Sequence, residues 1–170
     1  TCKLSSQTVT IKGNITLFDC KNSGITEIAL TKDLKLFDFN CSDNELTSLD
    51  VSGLTELEYF ACSSNRLTSL NIEGCDKLCY VECYSNSIKD EAMTDVVNDL
   101  PTLGAPGVGR FVVTAEGCGN VITEDDIDIA VDKNWDVVDD KYNSLSQEPT
   151  PIVKVSDISI TMSKSEVKVG

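Results

Sequence analysis

Apolar positions recur along this chain every 21 residues between residues 15 and 88. Ile15, Leu36, Leu57 and Leu78 form one column, Phe18, Phe39, Phe60 and Val81 a second, and Cys20, Cys41, Cys62 and Cys83 a third. Ile25, Leu46, Leu67 and Ile88 keep the same step, as do Ile28, Leu49 and Leu70, and Leu30, Val51 and Ile72. Asn44, Asn65 and Asn86 share a further column, which Ser23 occupies in the first copy. Within a copy, Phe60 and Cys62 stand two apart, so a short strand points both to one side. Leu57, Leu67 and Leu70 close a coil around the same interior. Asn65 ends the strand, where its amide can satisfy backbone groups left open by the turn. One coil cannot bury its own apolar face, whereas stacked coils share a core.

On either side of this region the period changes. Thr8, Val9, Thr10 and Ile11 read as a strand covering the open end of the core. Met93, Val96, Val97 and Leu100 follow helical spacing, and Pro101 stops that helix. A Gly/Pro loop over 103–109 leads to a strand at Phe111, Val112 and Val113. Thr123-Glu-Asp-Asp126 reads as a capping box, with Ile122 and Ile127 as the staple around it. Ile127, Ala130 and Val131 give the buried stripe, Lys133-Asn134 ends the helix, and Trp135, Val137 and Val138 form a last strand. Helix and strand pairs at this place suit a cap, because an open stack would expose strand edges and core.

The stretch Leu57-Glu-Tyr-Phe60-Ala-Cys62-Ser-Ser-Asn65-Arg-Leu67 resembles the leucine-rich-repeat consensus, with cysteine in place of the third leucine. Leu46-Thr-Ser-Leu49-Asp-Val51-Ser and Leu67-Thr-Ser-Leu70-Asn-Ile72-Glu resemble the short-repeat members of the bacterial leucine-rich-repeat surface proteins, the broad group that includes the internalins. The resemblance covers roughly residues 8–90. The first copy departs from it by lacking the asparagine, and the fourth by carrying Glu91 where a leucine is expected. It implies an α/β leucine-rich-repeat solenoid of 21-residue coils, with parallel strands on the concave face and a C-terminal α/β cap. The expected layout is an N-terminal cap over 1–14, repeats over 15–88, a C-terminal cap over 89–139 and a linker over 140–152, from its Asn, Ser and Pro content. The tail over 153–170 is either a strand or the start of a further domain; Ser156-Asp-Ile158-Ser-Ile160-Thr-Met162 resembles the opening of a bacterial immunoglobulin-like domain.

Composition narrows the function. The 170 residues are 41% hydrophobic, enough for a continuous core. A net charge of −14 argues against nucleic acid and anionic lipid as partners. No run of 18 apolar residues occurs, so no transmembrane helix is expected. The start at Thr1 raises the expectation of a processed or trimmed chain with a leader or lipid anchor removed, and the resemblance implies a place at the cell surface or outside the cell. With no histidine, a serine or cysteine nucleophile has no histidine base. Gly104 to Phe111 approaches a phosphate-binding loop but has Arg110 for the lysine and runs into a strand. Glu124, Asp125, Asp126 and Asp128 lack the spacing of a calcium loop and suit a helix N-terminus. Asn14-Ile-Thr16 has the form of a glycosylation sequon.

Eight cysteines invite a disulfide framework. Adjacent parallel strands lie about 4.8 Å apart, wider than the roughly 3.8 Å between Cβ atoms that a disulfide prefers. Cys20, Cys41, Cys62 and Cys83 therefore read as a ladder of buried thiols. Cys75, Cys79 and Cys83 do not make a convincing zinc set, because no second close pair and no histidine accompany them. Cys118 lies in a Gly-Cys-Gly turn, and the state of Cys2 stays open. No metal or cofactor is expected.

The residues beside the inward ones face the concave side: Leu17, Asp19 and Lys21; Asp38, Asn40 and Ser42; Tyr59, Ala61 and Ser63; Tyr80, Glu82 and Tyr84. Tyr59, Tyr80 and Tyr84 are expected to cluster on adjacent strands, where tyrosine gives rigid area with a polar tip. Asp38, Asn40 and Glu82 add polar groups. Such a surface suits a protein segment or a carbohydrate. The expected function is non-catalytic recognition; the alternative is a structural spacer in a modular surface protein.

Overall fold

Each short strand forms where an inward aromatic or aliphatic residue lies between outward neighbours. The computed structural model describes residues 8–13 and 15–146. Cys2, the tail over 153–170 and the rest of the expected linker lie outside the described residues. The elements in order are β1 (Thr8–Ile11), β2 (Leu17–Asp19), β3 (Glu27–Leu30), β4 (Asp38–Asn40), β5 (Ser48–Asp50), β6 (Tyr59–Ala61), β7 (Ser69–Asn71), β8 (Tyr80–Glu82), α1 (Glu91–Asp99), β9 (Gly109–Thr114), α2 (Glu124–Asp132) and β10 (Trp135–Asp139).

The strands pair in parallel. One sheet has six strands in the order β10-β9-β8-β6-β4-β2, and two smaller sheets pair β1 with β3 and β5 with β7. This is an α/β arrangement of parallel strands with few helices, compatible with a solenoid-like fold. The register is that of the 21-residue columns: Phe18 faces Phe39, Phe39 faces Phe60 and Phe60 faces Val81. Ser48 to Asp50 faces Ser69 to Asn71 in the same step. The strands β3, β5 and β7 were not foreseen in the sequence, where Leu70 only closed the coil and Leu49 only shared its column. Both leucines are buried in the same core as Phe39 and Phe60, so the small sheets form a second wall of one interior.

That interior is stacked. The rings of Phe18, Phe39 and Phe60 follow one another at 5.9 and 5.7 Å between centroids. Cys20, Cys41, Cys62 and Cys83 are buried free thiols. Burial, followed by the Asp19 charge, raises the Cys20 thiol to about 11. Burial also drives Cys41, Cys62 and Cys83 upward, so each stays protonated and packs as a small apolar group. Cys75 is buried too, and its thiol donates to Val51 O at 3.2 Å.

The turn after each strand repeats at the same spacing. Asn22, Asp43, Ser64 and Ser85 all take φ between 53° and 56°. The left-handed residue tips each N–H toward the turn that follows the neighbouring strand: Asn22 N donates to Ser42 O, Asp43 N to Ser63 O and Ser64 N to Tyr84 O. The asparagine that follows binds two levels together. Asn44 Nδ2 donates to Cys20 O, Cys41 O and Ser42 O, while its Oδ1 accepts from Ser23 and Ile25 N. Asn65 and Asn86 repeat the pattern one and two levels on, with Oδ1 accepting from Leu46 N and Leu67 N.

The last level belongs to a segment without the 21-residue period. Strand β9 sets Phe111 beside Val81, and β10 sets Val137 beside Phe111. Asn120 donates to Cys83 O and Val113 O and accepts from Ile88 N, taking the place of the next asparagine. Cys118, a free thiol, takes part in this level: its sulfur accepts from Ser85 N at 3.0 Å, where the turns below use a carbonyl. Gly119 must lack a side chain, since a Cβ there would come within 2.6 Å of Asn86 O. In α1 the buried face is Met93, Val96 and Val97. Helix α2 starts at the capping box foreseen in the sequence, with Thr123 Oγ1 accepting from Asp126 N and Asp126 accepting from Thr123 N. Lys133 ties the two helices together by donating to Val97 O and Leu100 O of the α1 terminus.

Candidate functional site

Because inward residues alternate with outward ones, the six-stranded sheet presents two outward columns. The first is Leu17, Asp38, Tyr59, Tyr80, Arg110 and Asp136; the second is Asp19, Asn40, Ala61, Glu82, Val112 and Val138. Five of the six residues singled out in the sequence, Asp38, Asn40, Tyr59, Tyr80 and Glu82, stand on this face. Tyr84 lies just past β8; it is half-buried and joins no ring contact among the described residues.

The rings form a row. Phe37 and Tyr59 lie 5.3 Å apart between centroids, and Tyr59 and Tyr80 6.4 Å apart. The Tyr80 and Tyr142 hydroxyl oxygens are 3.4 Å apart, which brings Tyr142 to the end of the row. Phe37, Tyr59 and Tyr142 are 44%, 41% and 54% exposed, so the row is open to solvent. Phe37 and Tyr142 were missed in the sequence. Phe37 precedes β4 and falls outside the alternation, and Tyr142 lies in the stretch read as linker.

Residues 140–146 return along β10. Asp139 Oδ1 accepts from Lys141 N and Asn143 N, Val138 bridges Ser144 in antiparallel fashion, and Leu145 N donates to Val137 O. Val112 and Val138 point outward by register yet are each only 1% exposed. The second outward column is thus covered over β9 and β10, while Arg110 in the first stays exposed and the part over β4, β6 and β8 is open.

The polar groups are partly committed. The Tyr80 hydroxyl donates to Glu82 Oε2 at 2.8 Å and the Ser63 hydroxyl to Glu82 Oε1 at 2.6 Å. Ser63 Oγ also stands 3.1 Å from Ser42 Oγ; both serines are buried rather than open to the face. Burial, with the hydrogen bonds to Tyr142 and Glu82 and their charges, raises the Tyr80 phenol. The Tyr59 phenol is also raised, first by the Cys79 charge, then by burial and the Cys79 hydrogen bond, then by Glu58 and Asp38. Both stay neutral phenols. Asn40 Oδ1 accepts from Ser42 N at 3.0 Å. The arrangement offers flat ring area, hydroxyl groups and carboxylate acceptors. Glu82, held by two hydroxyls, is not placed as a free base.

Among the described residues no group of three or more acidic, cysteine or histidine side chains could hold a metal ion. The Gly104–Gly109 loop runs into β9, a strand. No described helix is long and apolar enough to cross a membrane. No family model, curated protein or solved structure matches this chain.

Proposed function

We propose that this chain is a leucine-rich-repeat solenoid of the bacterial surface-protein type, and that it serves as a non-catalytic recognition module at the cell surface or outside the cell. The 21-residue columns, the parallel pairing in that same step and the asparagine between successive levels support the repeat assignment. The observation that carries the function is the solvent-open row Phe37, Tyr59, Tyr80 and Tyr142 on one face of a rigid sheet. Recognition surfaces draw most of their affinity from a few such rings, because these bury large area with little side-chain entropy to lose. The ligand is a protein segment or a glycan seated on the open half of the face, with Asp38, Asn40 and Glu82 beside the rings.

The test begins with arrays of peptides and glycans probed with the 170-residue chain. A ligand found there should bind the double variant Tyr59→Ala with Tyr142→Ala at least about tenfold more weakly. Both rings are exposed, so circular dichroism and the unfolding midpoint should stay close to the parent's. Equal binding by parent and variant rejects the face. A chain that binds nothing on either array acts as the spacer of the alternative reading.

A further inference from the structure

Resting on that reading of the face, we infer that its ligand is a protein segment carrying arginine or lysine, whose cation seats over the Tyr59 ring against the Asp38 carboxylate.

The face already contains one such arrangement, made by its own residues. The Arg110 guanidinium lies 5.1 Å from the centre of the Tyr142 ring, and its Nε is 4.0 Å from Asp136 Oδ2. A ring face attracts a cation through its quadrupole, and a carboxylate at the side adds the opposite charge. The same two ingredients stand on the open half of the face without a cation. Asp38 and Tyr59 are register partners on neighbouring strands of the same outward column that holds Arg110 and Asp136. Asp38 joins no ion pair among the described residues, although six other pairs do form there. Glu82 is anchored by Tyr80 and Ser63, which leaves Asp38 as the uncommitted acceptor beside the rings.

Charge favours the same partner. In the described part of the two outward columns the acidic residues are Asp19, Asp38, Glu82 and Asp136, and the one cation, Arg110, is engaged by Tyr142 and Asp136. The chain as a whole carries −14. Such a field draws in cationic segments and disfavours acidic ones. A neutral sugar would stack on the rings and donate a hydroxyl to Asp38, without the long-range attraction that a cation feels.

The experiment titrates the 170-residue chain with the peptide acetyl-(Gly-Ser-Arg)3-amide and with its twin in which citrulline replaces arginine, following the tyrosine ring signals by NMR. The arginine peptide should shift the Tyr59 ring and bind at least about threefold more tightly than the uncharged twin. Asp38→Asn should weaken it by about three- to tenfold, whereas Glu124→Gln, at the exposed start of α2, should leave it unchanged. Equal affinity for the two peptides overturns the inference. So does an unaltered Asp38→Asn, or an equal loss in Glu124→Gln, which would mark attraction to net charge alone. A neutral glycan that binds in a Tyr59-dependent manner, with no Tyr59 shift by the arginine peptide, overturns the cation inference and leaves the recognition face standing. Array ligands indifferent to Tyr59→Ala remove both.

Discussion

Asn86→Asp should destabilise the protein by about 3–5 kcal/mol, although it changes one NH2 for one oxygen, because it sets a carboxylate against buried carbonyls. In the parent, Asn86 is 3% exposed and its Nδ2 donates to Cys62 O, Cys83 O and Tyr84 O, while Oδ1 accepts from Leu67 N. Aspartate keeps the acceptor for Leu67 N and loses every donor. The three carbonyls then face an anion in a poorly hydrated site, unless the group takes up a proton. Asn86→Ala removes both functions and leaves the carbonyls and Leu67 N without partners, but it introduces no charge. The order of urea midpoints should therefore be parent, then Asn86→Ala, then Asn86→Asp at neutral pH. The gap between the two variants should shrink on acidification, as the aspartate is protonated. Midpoints equal to the parent's would mean that the asparagines do not bind successive levels.

Phe60→Ala should cost about 3–5 kcal/mol, the range for deleting a fully buried aromatic side chain. Phe60 is fully buried, stacks on Phe39 at 5.7 Å, and has Val81 as its register partner on the other side. The cavity cannot close easily, because the level above and the level below are fixed by the main-chain ladder of the same sheet. Its neighbours would lose ring contact along with it. Phe60→Leu keeps most of the volume and should cost clearly less. Phe18, at the end of the ring stack, is only half-buried, so Phe18→Ala should cost less than Phe60→Ala. Equal losses at the two positions would contradict the difference in their burial.

Much of the main sheet was legible because a period of 21 is long and each column holds one kind of residue. The columns of Phe39, Cys41 and Asn44 predict where a strand begins to face inward and where it ends. The helices were legible through the spacing of Met93, Val96 and Val97 and the capping residues Thr123 and Asp126. The strands of the second wall were not: Ser-Leu-Asp at 48–50 and Ser-Leu-Asn at 69–71 are three residues long, too short for alternation to separate a strand from a bend. Asn120 left a signal that was not used. Asn120-Val-Ile122 has the spacing of Asn65-Arg-Leu67 and Asn86-Ser-Ile88, but it falls 34 residues after Asn86 and outside the period. In the site, Tyr59 and Tyr80 followed from register alone. Tyr142 did not, because it reaches the face through the Asp139 turn and not through any strand. Arg110 was weighed as part of a phosphate-binding loop; aligning Phe111 with Val81 sets it beside Tyr80 instead.

In the proposed solenoid, coils of equal length stack in register around an interior lined by apolar side chains and free thiols. Residue-resolved iodoacetamide labelling, read by mass spectrometry across a urea series, tests it most directly. Cys79 and Cys118, which are half-buried, should label first in the native protein. Cys41, Cys62, Cys75 and Cys83 should stay unlabelled until the cooperative unfolding transition and then react completely. Native labelling of Cys62 as fast as that of Cys79, or a Cys62 that resists alkylation after unfolding because it is held in a disulfide, would contradict the stack.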